Sequence, residues 1–146
     1  MERLKISKVK KADLNQIASH YTVGDTPWDP FCSAKRMMDI PKKGFWVARV
    51  NGRYAGFLYW FEGGCVWFDK KVKNHAYIQE VQVTEKFRGK GLGKALLQYA
   101  LADIKKRSIA DIYVDTPEDN SVACHLYKSF GFIPARANTV HYKLKS

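Results

Sequence analysis

Arg88-Gly89-Lys90-Gly91-Leu92-Gly93 separates two stretches of different period. Before it, Tyr77 to Val83 (YIQEVQV) is a short β-rich run. After it, Leu92 to Lys106 repeats apolar residues at Leu92, Ala95, Leu96, Tyr99, Ala100 and Ile104, which is helical spacing. A glycine-rich loop therefore joins a strand end to a helix start. The first N–H groups of a helix have no internal partner, and the helix dipole places partial positive charge there. Glycines let backbone N–H groups close on a ligand with no Cβ in the way. Arg88, Lys90 and Lys94 add full charges. These features describe a cradle for a phosphate or pyrophosphate, although a plain turn would carry the same glycines.

Two familiar phosphate loops do not fit. A Walker A loop starting at Gly89 requires glycine where Lys94 stands. A dinucleotide fingerprint fits Gly89 and Gly91 and fails at the same Lys94. The dinucleotide reading keeps one point in its favour: Asp111 and Asp115 follow at the distance of a ribose-binding acid.

A third pattern, Arg/Gln-x-x-Gly-x-Gly/Ala, is met by Arg88, Gly91 and Gly93. It resembles the acetyl-CoA loop of the GCN5-related N-acetyltransferase (GNAT) superfamily. Asn120-Ser-Val-Ala-Cys-His-Leu-Tyr-Lys-Ser-Phe-Gly-Phe132 is similar to a second segment of that family, Asn-x-x-Ala-x-x-Leu-Tyr-x-x-x-Gly-Phe. The two patterns cover about residues 76–132; the part before them matches only in layout. The resemblance implies a cofactor, acetyl-CoA or coenzyme A. It places the pyrophosphate on Arg88, Gly89, Lys90, Gly91, Leu92, Gly93 and Lys94. It places the pantetheine arm on the backbone of Val81 and Val83.

Composition sets the outer limits. At 146 residues the chain is long enough to bury a core as one domain, residues 1–146. The formal charge of +11 suits an anionic cofactor, nucleic acid, an acidic partner or a solvated lysine-rich surface. The basic residues are scattered in short groups, and no helix-turn-helix or RNP-like signature accompanies them, so no nucleic acid is expected. Cys32, Cys65 and Cys124 are odd in number and widely spaced, which indicates neither a disulfide framework nor a metal site. Nothing has the length or apolarity of a signal or membrane segment, so a soluble cytoplasmic protein without a membrane partner is expected.

Taken in order, Leu4–Val9 alternates like a half-buried strand, and Ala12–Tyr21 carries a helical face. Thr22–Pro30 is loop, and Ser33–Met38 is a short helix. Gly44–Val50 and Arg53–Trp60 flank Asn51-Gly52, the strongest short hairpin signal. Glu62-Gly63-Gly64 suggests a turn and Val66-Trp67-Phe68 a short strand. The central strand, Ala76–Val83, precedes the loop and long helix. Asp111–Val114 is the next strand, Ser121–Phe130 a helix capped by Gly131, and residues 132–144 a closing hairpin. This order predicts an α/β fold with a mixed sheet flanked by helices. The resemblance adds that the sheet is mostly antiparallel, splayed at its middle, and accompanied by about four helices.

Amide formation needs an acceptor amine that has lost its proton, and a lysine-like amine is neutral in only about one molecule in a few thousand at pH 7. Glu80, the acid on the central strand, is the candidate general base; the other readings are that it binds the amine or faces solvent. By resemblance Tyr127 is the general acid for the departing thiolate and touches the cofactor; on spacing alone it is a core aromatic. By the same resemblance Asn120 is a cofactor contact, or else the helix N-cap, and Lys128 is a candidate for the 3′-phosphate. The resemblance, in which the region between the first two helices helps wall the acceptor site, makes Asp25, Trp28, Asp29 and Phe31 candidate acceptor contacts, the alternative for each being a packed surface loop; Glu80 is a further candidate. Cys124 and His125, adjacent on a helix, do not face each other, so direct transfer in a ternary complex fits better than a covalent intermediate. The implied activity is an N-acetyltransferase acting on a primary amine of a small molecule, a peptide N-terminus or a lysine. Two other readings are a non-catalytic coenzyme A sensor of the same fold and a basic nucleic-acid-binding protein. Homodimers are common in the family, and the sequence shows no interface.

Overall fold

The Asn51-Gly52 pair takes φ values of 51° and 80°, the left-handed pair that a two-residue type I′ hairpin demands. It joins β2 (Phe45–Val50) to β3 (Arg53–Glu62) as adjacent antiparallel strands. The computed structural model describes residues 2–22, 29–63, 75–109, 111–116, 119–134 and 141–145. They fall into two compact units, residues 1–59 with 80–100 and residues 60–79 with 101–146. The expected turn at Gly64 and strand at Val66–Phe68 lie outside the described residues.

In the first unit β1 (Leu4–Lys8) lies antiparallel to β2, with Leu4 opposite Val50 and Lys8 opposite Trp46. A 3-10 turn, Lys11–Asp13, leads into α1 (Leu14–His20). Asp13 fixes this entry: it accepts the Lys10 N–H at 2.7 Å and pairs with Arg49 of β2, which also donates to Gln16 at 2.7 Å. A second 3-10 turn, Pro30–Cys32, precedes α2 (Ala34–Met38). The helix expected from Ser33 starts one residue later because Ser33 is its N-cap, its Oγ accepting the Arg36 N–H. Phe31 is fully buried and packs against Phe45, Phe57 and Tyr59 at centroid distances of 5.0–5.9 Å. Trp46 turns to the other side of β2 and meets Tyr99 of α3 (Leu92–Lys106) at 5.8 Å. Tyr54 through Tyr59 of β3 are all buried, as expected of a strand covered on both faces.

β4 (His75–Val83) contributes its end, from Glu80, to this unit. The Thr84 N–H donates to the Ala55 carbonyl at 2.8 Å. β3 approaches β4 so closely at Gly56 that a Cβ there would stand 2.3 Å from the Gln82 carbonyl oxygen.

In the second unit the start of β4 runs parallel to β5 (Asp111–Asp115), from His75 opposite Asp111 to Ile78 opposite Val114. β4 continues five residues beyond Ile78 and β5 only one beyond Val114, so their pairing stops midway along β4. β7 (His141–Lys145) is antiparallel to β5 and to the short β6 (Ile133–Pro134). α4 (Ser121–Ser129) buries Tyr127. The fold is mixed α/β with mostly antiparallel pairings and four α-helices among the described residues, as expected. Antiparallel strands in both units set it apart from the doubly wound parallel sheet that a dinucleotide fingerprint serves. Among the described residues no helix is long and apolar enough to cross a membrane.

Candidate active site

The chain leaves β4 at Val83, makes a 3-10 turn over Glu85–Phe87, and anchors it with the buried Phe87. Gly89 and Gly91 then take φ values of 75° and 80°, a region that L side chains rarely occupy. Nothing stands within 4 Å of where a Cβ would be at either residue, so the loop faces open space. The Ala95 N–H donates to the Gly91 carbonyl at 3.0 Å, and the N–H groups of Leu92, Gly93 and Lys94 precede that bond. Backbone donors at a helix start, with exposed Arg88, Lys90 and Lys94 around them, fit an anionic pyrophosphate. The Arg88 Nε donates to the Val83 carbonyl at 3.0 Å, which folds this side chain back along the strand end. The Lys90 Nζ pairs with Glu2 at 2.7 Å on the surface, where such a pair is weak and exchangeable.

Glu80 lies on β4 beside two groups from other segments. α1 was expected to run through Tyr21; it stops at His20, and Tyr21 adopts an extended conformation with φ −68° and ψ 125°. The Tyr21 hydroxyl then reaches Glu80 Oε2 at 3.0 Å and also meets Asp29 Oδ2. Asp29 is itself fixed, because its Oδ1 accepts the Phe31 N–H at 3.2 Å as cap of the 3-10 turn. Gln82 holds the segment after α1 to β4: its Oε1 accepts the Thr22 N–H at 3.1 Å and its Nε2 donates to the Thr22 carbonyl at 2.9 Å.

Burial pushes the Glu80 carboxyl up from 4.5 to about 7, and the charge of Asp29 adds to the rise. Hydrogen bonds from Tyr21, Gln82 and the Val81 backbone pull part of the way back. Burial, the bond to Asp29 and the charges of Glu80 and Asp29 hold the Tyr21 hydroxyl far above its ordinary 10. Tyr21 thus stays protonated where Glu80 titrates, and Glu80 changes charge near neutral pH.

A cavity of about 410 Å³ opens in the same unit, and its wall includes His20, Tyr54, Gln82, Val83 and Arg88. Its size falls in the range of small-molecule sites. It brings together Val83 and Arg88, two of the residues expected at the cofactor. Val81 and Val83 are half-buried on β4.

The second unit holds the remaining candidates. Asn120 is the N-cap of α4, its Oδ1 accepting the Ala123 N–H at 3.1 Å. Tyr127 is buried and meets the edge of Phe132 at 5.6 Å. Lys128 is exposed on the same helix. Asp115, one of the acids that kept the dinucleotide reading alive, accepts the Tyr77 hydroxyl at 2.5 Å.

Of the acceptor candidates, Asp29 and Glu80 come together through Tyr21, while Asp25 and Trp28 lie outside the described residues. Phe31 has no exposed surface and packs in the aromatic core. Tyr21 and Gln82 were not anticipated. A tyrosine ending an apolar helical face reads as one more core residue, and its neighbours are 8 and 59 positions away.

Comparison with known proteins agrees with this layout. The profile of the acetyltransferase (GNAT) family matches residues 13–132. Streptothricin acetyltransferase A of Bacillus subtilis is 33% identical over 91 residues, covering 60% of this chain and 53% of its own length. The ribosomal protein bS18-alanine N-acetyltransferase of Escherichia coli is 30% identical over 92 residues, covering 63% and 56%. The chain spans between half and three-fifths of the length of the curated relatives it matches. Among solved structures, the PaiA N-acetyltransferase of Thermoplasma acidophilum in complex with coenzyme A superposes with a TM-score of 0.72 at 18% identity, over 99% of both chains.

Proposed function

The chain belongs to the acetyltransferase (GNAT) family, and from that premise we propose that it is an acetyl-CoA-dependent N-acetyltransferase acting, as one domain, on a primary amine by direct transfer. The observation that carries this reading is the Arg88–Gly93 loop, whose two left-handed glycines face open space at the start of α3. The loop backbone and Arg88, Lys90 and Lys94 would hold the pyrophosphate, and the backbone of Val81 and Val83 the pantetheine arm. Bound there, acetyl-CoA supplies an activated thioester.

Glu80 is the general base. A carboxyl that titrates near 7 is half ionised at working pH and still basic enough to take a proton from an ammonium, directly or through water. Tyr127 is the general acid: a phenol keeps its proton at neutral pH and can give it to the departing sulfur. Asp29 and Glu80 together favour a cationic amine. Relatives of similar identity bear the names of a streptothricin and of a ribosomal-protein alanine acetyltransferase, so acceptors from small molecules to protein N-termini suit the same machinery.

The test is a thermal-melt series with acetyl-CoA, coenzyme A and NADH. A ligand at 100 times its Kd stabilises a fold by about 2.7 kcal/mol, roughly 5–10 °C for a domain of this size. Shifts with both coenzyme A species and none with NADH support the reading. A shift with NADH alone, or with none of the three, overturns it.

A further inference from the structure

We propose that Tyr21 is a positioning residue for Glu80, and that by sharing its hydroxyl between Glu80 and Asp29 it sets the pH at which Glu80 becomes able to accept a proton. The inference rests on the reading of Glu80 as the base and adds two residues that act through it.

Counting protons supports it. The Tyr21 hydroxyl carries one proton and meets two carboxyl groups. An ionised carboxylate can only accept, so with both ionised Tyr21 satisfies one and turns a lone pair toward the other. One added proton removes the conflict: a protonated Glu80 donates to the Tyr21 oxygen while Tyr21 donates to Asp29. Burial brings the added proton to Glu80, against the hydrogen bonds that Tyr21, Gln82 and the Val81 backbone give its ionised form, while Asp29 Oδ1 accepts the Phe31 N–H. The arrangement is also held in register, since Gln82 ties Thr22, the residue after Tyr21, to β4 by two hydrogen bonds. Among the described residues, Tyr21 from the segment after α1 and Asp29 from the segment before α2 are the titratable groups acting on Glu80; Gln82 and the Val81 backbone add neutral bonds.

Two substitutions then have opposite signs. Tyr21→Phe removes a donor to the ionised form of Glu80 and leaves two carboxylates facing across an apolar ring. Asp29→Asn removes the like charge, keeps an oxygen for the Phe31 N–H, and frees the Tyr21 proton for Glu80. The experiment follows the Glu80 side-chain carboxyl by ¹³C NMR through pH 4–10, with Glu80→Gln to assign the signal. In parallel it records the pH profile of kcat/KM with an amine acceptor. The expected midpoint is near 7 in the parent protein, higher in Tyr21→Phe and lower in Asp29→Asn, each by about one pH unit. Midpoints that stay put, or move in the same direction, overturn the proposal. Midpoints that separate while the rate profile does not follow support the Tyr21 coupling and remove Glu80 from the role of base, so the two readings fail separately.

Discussion

The Arg88–Gly93 loop and the Glu80 cluster are built in opposite ways. The loop is six consecutive residues whose proposed role rests on the backbone, with left-handed glycines, the first N–H groups of α3 and exposed cations around them. The cluster takes one side chain from each of three segments, and each is placed by something else. Tyr21 is placed by the end of α1, Asp29 by capping a 3-10 turn, and Glu80 by the pleat of β4. A backbone site survives most side-chain changes and fails when its φ angles are denied. A side-chain cluster tolerates backbone neighbours and fails when one atom is removed. The loop should therefore govern cofactor affinity and the cluster the chemical step.

The largest expected effect is at the cluster. Glu80→Gln is expected to lower turnover by about 10²–10⁴-fold and to abolish the acid limb of the pH–rate profile near 7, with the coenzyme A-induced melting shift preserved. An unaltered profile would remove the distinction between the two sites. Next comes the backbone beneath the cluster. Gly56→Ala would put a Cβ 2.3 Å from the Gln82 carbonyl and is expected to cost about 2–4 kcal/mol in urea unfolding, through forced separation of β3 and β4. A smaller effect belongs to the loop. Gly91→Val forces a β-branched residue to φ 80° and is expected to cost about 1–2 kcal/mol, read as roughly tenfold weaker coenzyme A binding with turnover at saturation little changed.

An effect of similar size falls on stability and has a defined sign. The folded Glu80 carboxyl, near 7, lies above its ordinary 4.5. The folded state therefore holds that proton more tightly than the unfolded chain, and the resulting stability is present below pH 4.5 and lost as pH rises through 7. Glu80→Gln keeps the neutral form at every pH. It is expected to match the parent at pH 4.5 and exceed it at pH 8.5 by about 1–2 kcal/mol, after discounting for the part of Glu80 that meets solvent. Equal stabilities at pH 8.5 would mean that the carboxylate carries no strain in the fold.

The same contrast governs what could be read in advance. The α3 helix runs from Leu92 to Lys106 as its apolar spacing predicts, because fifteen residues of one period outweigh any single contact. The Asn51-Gly52 hairpin follows from backbone sterics within two residues. Element ends were less legible where side chains decide them. Ser33 leaves α2 to cap it, and Tyr21 leaves α1, where its phenol meets two carboxyl groups. Phe31 is a loop aromatic by its sequence, and only the fold shows Phe45, Phe57 and Tyr59 packed around it. Of the two roles open to Asn120, the cap is the one seen, since a cap needs only the N–H three residues on.

By itself, the order of residues determined the periods, the turns, the glycine loop at a strand–helix junction, and with them the family and fold class. These are local properties, settled by dihedral preferences and by spacing within about fifteen residues. Tertiary structure alone decided which carboxylate would titrate near neutral pH. That depends on burial and on a hydroxyl brought from 59 positions away, and neither desolvation nor a long-range hydrogen bond is written in any stretch of chain short enough to read.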